Sequence, residues 1–269
     1  MRIGKKNFLP EGHVYVMGIL NVTPDSFSDG GRFNDLDAAL RRAERMAEEG
    51  ADILDVGGES TRPGYTPVFA DEEIRRVVPV IKELKKRWDI PVSIDTYKSE
   101  VARAALDAGA DMVNDIWGGT YDEACIELAA EYEAAVCLMH NRESAAYADF
   151  VSDVLRDLQE SLAIAERHGV GKEKIMLDPG VGFGKTTEHN LKIINHLDDV
   201  VSMGYPVLLG ASRKSVIGQT LGLPVEEREE GTMALSVIAA MRGCGFVRVH
   251  DVKKNVRALR MAEAVLHAG

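Results

Sequence analysis

The stretch GADILDVGG, at residues 50–58, decides the fold. Its first glycine is suited to ending a helix, the apolar run that follows is typical of a short buried strand, and the closing glycines belong to a loop. The stretch GADMVNDIWGG, at residues 109–119, repeats the same order. Self-similarity of this kind indicates a chain built from successive βα units.

Eight apolar runs of this type can be counted along the chain. They are rich in Val, Ile and Leu without strict alternation, which is typical of parallel strands covered on both faces. The runs occupy residues 15–20, 51–56, 91–95, 111–115, 134–140, 174–178, 206–210 and 246–250. Stretches with apolar residues at helical spacing separate them, among them residues 36–47, 74–84 and 154–165.

Eight strands that alternate with helices predict an α/β protein, and specifically a (β/α)₈ TIM barrel in which helices surround a parallel eight-stranded barrel. The length of 269 residues fits one such barrel, so we expect residues 1–269 to form a single domain. An open, doubly wound sheet is the alternative. The sequence carries no glycine fingerprint for dinucleotide binding, and this favours the barrel.

The composition limits the partners of the protein. A net charge of −11 without blocks of like charge would repel both nucleic acid and anionic membranes. No apolar run is long enough for a membrane span, and we expect no secretory signal at the start. Its three cysteines, Cys125, Cys137 and Cys244, form no C-x-x-C pair, and Cys137 lies in an apolar run typical of a core. We therefore expect a cytoplasmic protein with small-molecule ligands.

Polar side chains end or follow each of the eight predicted strands. Such residues cap strand ends in many proteins, but the C-terminal ends of barrel strands also meet at one mouth, where active sites are built. The set therefore predicts a polar floor ringed by loops. Its members are Asn21, Glu59 to Arg62, Asp95, Asn114, Asp115, His140, Asp178, Ser212, Arg213, Lys214, Arg248 and His250.

The chemistry of this floor has two sides. The acceptors Asp95, Asn114 and Asp178 suit a flat heterocycle with several N–H groups, such as a 2-amino-4-oxopyrimidine ring. Positive charge follows the last two strands, where barrels often bind phosphate. It comes from Arg213, Lys214, Arg248 and His250. Together the two sides predict a ligand in which a heterocycle is joined to an anionic leaving group.

Three loops have unusual compositions. Residues 21–33 and 59–67 are long, polar and rich in turn formers, which favours lids that close over the mouth. The glycine-rich stretch DPGVGFGKT, at residues 178–186, resembles a phosphate-binding loop but has the wrong glycine spacing for a Walker A motif. Its glycines favour a close approach of the backbone to a flat ligand beside Phe183.

Seven motifs, which together span nearly the whole chain, resemble those of the dihydropteroate synthase family and occur in the family's order. They are NVTPDSFSDGG (residues 21–31), GGESTRPG (57–64), SIDTYK (93–98), VNDIWG (113–118), LDPGVGFGK (177–185), SRKSVIG (212–218) and RVHDV (248–252). The resemblance implies a transferase of folate biosynthesis. Para-aminobenzoate would displace pyrophosphate from 6-hydroxymethyl-7,8-dihydropterin diphosphate to give 7,8-dihydropteroate. It also implies Mg²⁺ as cofactor and a homodimer.

The resemblance implies a role for each matching residue. The pterin would contact Asp95, Asn114, Ile116, Met139, Asp178, Gly210 and Lys214. Para-aminobenzoate would contact Thr61, Arg62, Pro63, Phe183, Ser212 and Lys214. Pyrophosphate would contact Asn21, Thr61, Arg248 and His250, with Asn21 also binding Mg²⁺. The catalytic residues would be Asp29, Asp95, Asp178 and Lys214.

The weak nucleophilicity of para-aminobenzoate favours a dissociative reaction. The C–O bond would break first, with Mg²⁺, Arg248 and His250 stabilising the departing negative charge. Asp178 and Asp29 would stabilise the resulting pterin cation, while the lids exclude water. One segment departs from the family pattern, because NRESAAY follows His140 where many members have a sequence of the Met-Gln-Gly-Thr-Pro type.

Three other functions share part of this pattern. A pterin-binding methyltransferase would keep the acceptor floor but would have no use for Arg248 and His250 as a pyrophosphate site. A catalytically silent pterin-binding paralogue is expected to lack loop or cationic residues that this sequence has. A sugar-phosphate aldolase would need a Schiff-base lysine or a His/Asp metal cluster, and Lys214 follows its strand rather than lying on it.

Overall fold

The computed structural model describes residues 1–23, 32–59 and 68–268. The described chain starts with a short antiparallel hairpin of β1 (Arg2–Ile3) and β2 (Lys6–Asn7). Eight further strands lie within the described residues and pair in parallel. They are β3 (Tyr15–Asn21), β4 (Ile53–Gly57), β5 (Val92–Asp95), β6 (Met112–Asp115), β7 (Ala135–Met139), β8 (Ile175–Asp178), β9 (Leu208–Leu209) and β10 (Phe246–Val249).

The parallel strands form a ring. Their order is β8-β7-β6-β5-β4-β3-β10-β9, and a parallel bridge between Leu177 and Val207 joins the two ends. The prediction of a (β/α)₈ TIM barrel is therefore confirmed. Each of the eight parallel strands lies within a predicted apolar run or extends it by one residue, and β9 is the shortest of them.

Helices cover the outside of the ring. Among the described residues they are α1 (Arg32–Glu49), α2 (Ala70–Arg87), α3 (Ser99–Asp107), α4 (Ala124–Glu131), α5 (Phe150–Arg167), α6 (Thr187–Asn195), α7 (Leu197–Val201), α8 (Ser215–Leu221), α9 (Glu229–Met241) and α10 (Val252–Leu266). The two connections that flank β9 carry two helices each. None of the described helices is long and apolar enough to span a bilayer.

The core has two parts. A large cluster fills the space between sheet and helices, and a smaller one fills the inside of the barrel. The inner cluster contains Ile3 and Phe8 from the N-terminal hairpin, with the Phe8 ring 5.6 Å from that of Phe246. The hairpin thus plugs the N-terminal end of the barrel. Sequence analysis missed it because two-residue strands show no periodicity. Cys137 lies in the inner cluster, as predicted, and all three cysteines are buried and free.

The polar floor lies one layer above this apolar interior. Side chains two residues apart on a strand face the same side, so each apolar inward residue is followed by another inward position nearer the mouth. Along the strands these pairs are Ile53 and Asp55, Met112 and Asn114, Met176 and Asp178, Leu208 and Gly210, and Phe246 and Arg248. Alternation within the strands therefore places the charged groups at the mouth.

Candidate active site

A cavity of about 330 Å³ opens at the C-terminal ends of the strands. Its walls include all of the described residues to which the family resemblance assigns a role. They are Asn21, Asp95, Asn114, Ile116, Met139, Asp178, Phe183, Gly210, Ser212, Lys214, Arg248 and His250. The other four, Asp29, Thr61, Arg62 and Pro63, lie outside the described residues, as do most of the two predicted lids. The structure therefore brings the described candidates to one place, and their individual roles stay predictions.

A guanidinium on the cavity floor bridges two buried carboxylates, those of Asp55 and Asp95. Arg248 Nε donates to Asp55 Oδ2 at 2.6 Å, and Arg248 Nη2 donates to Asp95 Oδ2 at 2.5 Å. Asn114 Nδ2 also donates to Asp55 Oδ2, at 3.2 Å. Sequence analysis assigned Arg248 to the cationic side alone. The structure adds a second task, because Arg248 also compensates the negative charge of the floor.

Burial controls the ionisation of this cluster. It raises the pKa of the Asp95 carboxyl to about 7, although Arg248 acts in the opposite direction. Burial alone would lower the pKa of Arg248, but Asp55 and Asp95 outweigh it and raise that pKa instead. Among the described residues, Asp55 Oδ1 and Asp95 Oδ1 are buried without a hydrogen-bond partner. Because Asp95 also lines the cavity, its Oδ1 favours a ligand that brings N–H donors.

Asp178 and Lys214 form the opposite side of the floor. Asp178 Oδ1 accepts a hydrogen bond from Gly180 N at 2.7 Å, and burial raises the pKa of this carboxyl. A Cβ at Gly210 would lie 3.2 Å from Asp178 Oδ2, so glycine keeps the space above the carboxylate open. Burial lowers the pKa of Lys214 to about 8, with Asp178 acting in the opposite direction.

Lys214 is held by the glycine-rich loop after β8. Its Nζ donates to Val181 O at 2.5 Å and lies 4.6 Å from the centre of the Phe183 ring. Ile116 and Met139 form an apolar cluster, against which Phe183 packs, on the adjoining wall. The ammonium therefore lies between a polar floor and an aromatic wall. This arrangement suits two flat ligands that meet beside one cation.

The last two strands place their polar residues together at the rim. Ser212 Oγ lies 2.9 Å from His250 Nδ1 and accepts a hydrogen bond from His250 N at 3.2 Å. Arg213 also lines the cavity, but its Nε donates to Glu229 Oε2 at 3.3 Å. Arg228 lies beside it and donates from Nη1 to Arg213 O at 3.1 Å. The cationic side is therefore partly neutralised by Glu229.

Two other predicted strand-end residues have structural tasks. Asp115 is fully buried and accepts hydrogen bonds from Trp117 N and Gly119 N, both at 2.8 Å, so it shapes the loop after β6. Glu59 lines the cavity and accepts from Lys98 Nζ at 2.6 Å and from Val68 N at 2.7 Å. The interpretation of strand-end polar residues as local caps is correct for Asp115.

Two residues near the site, Asp55 and Arg228, were not predicted from the sequence. Asp55 could have been found, since it is the single charged residue within the buried strand β4 and shares a face with Ile53 and Gly57. Arg228 precedes α9, far from any motif, and the sequence gives no signal for it. Its contact with the Arg213 carbonyl depends on the fold of the loop between α8 and α9.

The residues present fit a Mg²⁺ ion that arrives with a diphosphate. Within the part of the chain that the structure describes, no group of three or more His, Cys, Asp or Glu side chains could hold a metal. Asn21 offers one amide oxygen on the cavity wall. Mg²⁺ commonly takes few protein oxygens and completes its shell with phosphate and water. The donor set therefore suits a shared ion rather than a metal caged by protein alone.

The family can now be stated from comparison with known proteins. A family model described as pterin binding enzyme matches residues 17–250. A dihydropteroate synthase of Clostridium beijerinckii is 55% identical over 267 residues, which are 99% of each chain. The chain belongs to the dihydropteroate synthase family. The resemblance seen in the seven motifs is thus confirmed.

Solved structures agree with this membership of the dihydropteroate synthase family. The Clostridium difficile dihydropteroate synthase, crystallised in the presence of pteroic acid, aligns with a TM-score of 0.92 and 50% identity over 98% of both chains. The Xanthomonas albilineans dihydropteroate synthase with 4-aminobenzoic acid aligns with a TM-score of 0.91 and 46% identity over 96% of this chain and 94% of that chain. An open, doubly wound sheet is therefore excluded.

Proposed function

We propose that this chain is a dihydropteroate synthase of folate biosynthesis. It condenses 6-hydroxymethyl-7,8-dihydropterin diphosphate with para-aminobenzoate and releases 7,8-dihydropteroate and pyrophosphate. The observation that carries the proposal is one cavity that joins the acceptor floor of Asp95, Asn114 and Asp178 to the cations Lys214 and Arg248. The near-full-length identity of 55% to a dihydropteroate synthase supports it.

The pterin is proposed to lie on the floor. Asp95 Oδ1 is buried without a described partner, and the carboxylate of Asp178 lies below the open space left by Gly210. A ring amino group and its neighbouring N–H can donate in parallel to one carboxylate. Asn114 supplies an amide, and Ile116 and Met139 supply apolar contacts to the ring faces.

The reaction is proposed to be dissociative. The C–O bond breaks with its electron pair leaving on pyrophosphate, the amine nitrogen then forms the C–N bond, and the ammonium proton passes to solvent. Asn21 would hold Mg²⁺, and the ion would supply positive charge to the leaving group. Arg248 and His250 stabilise the same negative charge, and Asp178 stabilises the pterin cation. Lys214 orients both partners from its place beside Phe183.

We further propose a single barrel domain over residues 1–269, a cytoplasmic location and a homodimer, with neither nucleic acid nor membrane as partner. The exposed side chains of Met241 on α9 and of Met261, Val265 and Leu266 on α10 support the dimer. The two helices pack against each other, so their apolar side chains can form one surface for a second copy.

Incubation with the pterin diphosphate, para-aminobenzoate and MgCl₂ tests the function. Dihydropteroate and pyrophosphate should appear in equal amounts, and omission of para-aminobenzoate is the control. A protein that binds the pterin but forms no product in this assay would be a silent paralogue. Methyl transfer from methyltetrahydrofolate to a corrinoid, without condensation, would instead support the methyltransferase.

Pterin binding should weaken as the pH falls below about 7. The Asp95 carboxylate, whose pKa burial raises to about 7, must be ionised to accept two N–H donors. Because the deprotonated form binds, the Kd should rise by up to about tenfold for each pH unit below that pKa. Calorimetry with 6-hydroxymethylpterin at several pH values measures this. The Asp95→Asn variant should give a flatter profile, and an identical slope in both proteins would contradict the role of Asp95.

A further inference from the structure

The loop after β8 packs unusually closely against the loop after β7. We call residues 179–186 the sixth loop and residues 140–149 the fifth loop. Gly180 and Gly184 have φ values of 70° and 54°, in the left-handed region that favours glycine. A Cβ at Gly180 would lie 1.9 Å from His140 O, and one at Gly184 would lie 2.4 Å from Arg142 O. The two backbones are therefore in direct contact.

The side of the sixth loop that faces the cavity holds Lys214. Val181 O accepts the hydrogen bond from Lys214 Nζ, and the Phe183 ring lies beside the same ammonium. A Cβ at Gly182 would lie 3.1 Å from Lys214 Cδ, so the backbone also touches the lysine stem. Any change in the shape of this loop therefore moves both Phe183 and Lys214.

The side of the sixth loop that faces away from the cavity is held by a second lysine, Lys185. Its Nζ lies 2.7 Å from His140 Nδ1 and donates to Phe183 O at 3.0 Å. His140 Nε2 lies 3.0 Å from Asp157 Oδ2. Arg142 donates to Asp157 from Nε at 2.6 Å and from Nη2 at 3.0 Å. Lys185, His140, Asp157 and Arg142 thus form a continuous chain, which we call the rear network.

The ionisation of the rear network is consistent with this arrangement. Burial and the neighbouring Lys185 lower the pKa of His140 to about 4, so the imidazole is neutral at physiological pH. Asp157 is the anionic acceptor for the Nε2–H of the neutral ring, and Nδ1 is then the acceptor for Lys185. Each member therefore fixes the orientation of the next, and Lys185 is not part of the cavity wall.

Resting on the proposed function, we propose that Lys185 is a positioning residue for para-aminobenzoate. It touches no substrate, but through the rear network it holds the sixth loop in the shape that presents Phe183 and the Val181 carbonyl to Lys214. This gives a task to the fifth-loop segment NRESAAY, at residues 141–147. Arg142 of that segment supplies the outer end of the network, and Tyr147 donates from its hydroxyl to Gly184 O at 2.8 Å.

The test is Lys185→Met, with the exposed Lys192→Met on α6 as its matched control. Lys185→Met should raise the KM for para-aminobenzoate by about tenfold or more, the scale on which displaced positioning groups act. The Kd for 6-hydroxymethylpterin should rise by a clearly smaller factor, because Asp95 and Asn114 are outside the network. Lys192→Met should change neither. Equal loss of both binding steps would show a merely structural role and overturn the proposal.

A double-variant cycle with Phe183→Ala sharpens the result. If Lys185 acts through Phe183, Lys185→Met should have little further effect on the KM for para-aminobenzoate once the ring is absent. Effects that multiply would contradict the proposal. Should Lys185→Met fail to fold, Arg142→Gln disturbs the same network from its outer end and should raise the same KM. An unchanged KM in folded Arg142→Gln would then overturn the proposal.

The proposed function is tested separately by wild-type turnover in the same assay. A wild-type protein that makes no dihydropteroate refutes the function, whatever the variants do. An active wild type whose Lys185→Met variant keeps its KM for para-aminobenzoate refutes the positioning task alone.

Discussion

Arg248→Met should cost the folded protein about 3–5 kcal/mol of unfolding free energy at about pH 8, because it leaves buried carboxylates without their cation. Asp55 is fully buried and Asp95 is 8% exposed, and Arg248 donates to both. Urea denaturation followed by circular dichroism measures the loss. Arg257→Met, at an exposed position on α10, is the matched control and should stay within about 0.5 kcal/mol.

The pH dependence of this cost identifies its cause. Burial raises the pKa of Asp95 in the folded protein to about 7. A carboxyl with such a raised pKa stabilises the fold at low pH, and this contribution is lost as the pH rises through the folded pKa. The difference in unfolding free energy between Arg248→Met and the wild type should therefore be large above about pH 7 and shrink towards pH 5. Adding Asp55→Asn should recover part of it. A loss that is constant with pH would mean that Arg248 acts through packing instead.

Lys214→Met should lower kcat by about 10²–10³-fold, the usual scale for removing one oriented electrostatic group. The ammonium lies between Val181 O and the Phe183 ring, and it interacts electrostatically with Asp178. Steady-state release of pyrophosphate measures the effect. Lys253→Met, at an exposed site on α10, should leave kcat unchanged.

Lys214→Arg should not restore turnover. The lysine stem already touches the backbone at Gly182, and a planar guanidinium needs more room than an ammonium. Full activity in Lys214→Arg, or near-normal kcat in Lys214→Met, would remove Lys214 from the catalytic residues. A thermal unfolding scan of each variant separates lost catalysis from lost folding.

The strands and the cavity could be predicted because both depend on local order in the sequence. Each apolar run ends where its polar residue begins, and parallel strands bring such ends together. Asp95, Asn114 and Asp178 follow this rule and line one cavity. Their chemistry could therefore be combined before the fold was known.

The partners of Arg248 could not be predicted in the same way. Its hydrogen bonds join residues separated by 193 and 153 positions, across the inside of the barrel. Which carboxylates an arginine reaches there depends on strand register and closure, neither of which one sequence specifies. The rear network could not be predicted from the sequence for a related reason. His140 looked like another strand-end residue of the mouth, but its ring contacts Asp157 on α5.

The N-terminal hairpin also affects the order in which ligands can bind. Ile3 and Phe8 fill the N-terminal end of the barrel. Ligands would therefore enter and leave through the cavity mouth at the other end. A ligand bound to Asp95 and Asn114 would then lie deeper in the cavity than a ligand bound beside Phe183 and Ser212. We therefore expect the ligand on the floor to bind before the ligand beside Phe183, because the second ligand would otherwise block its path.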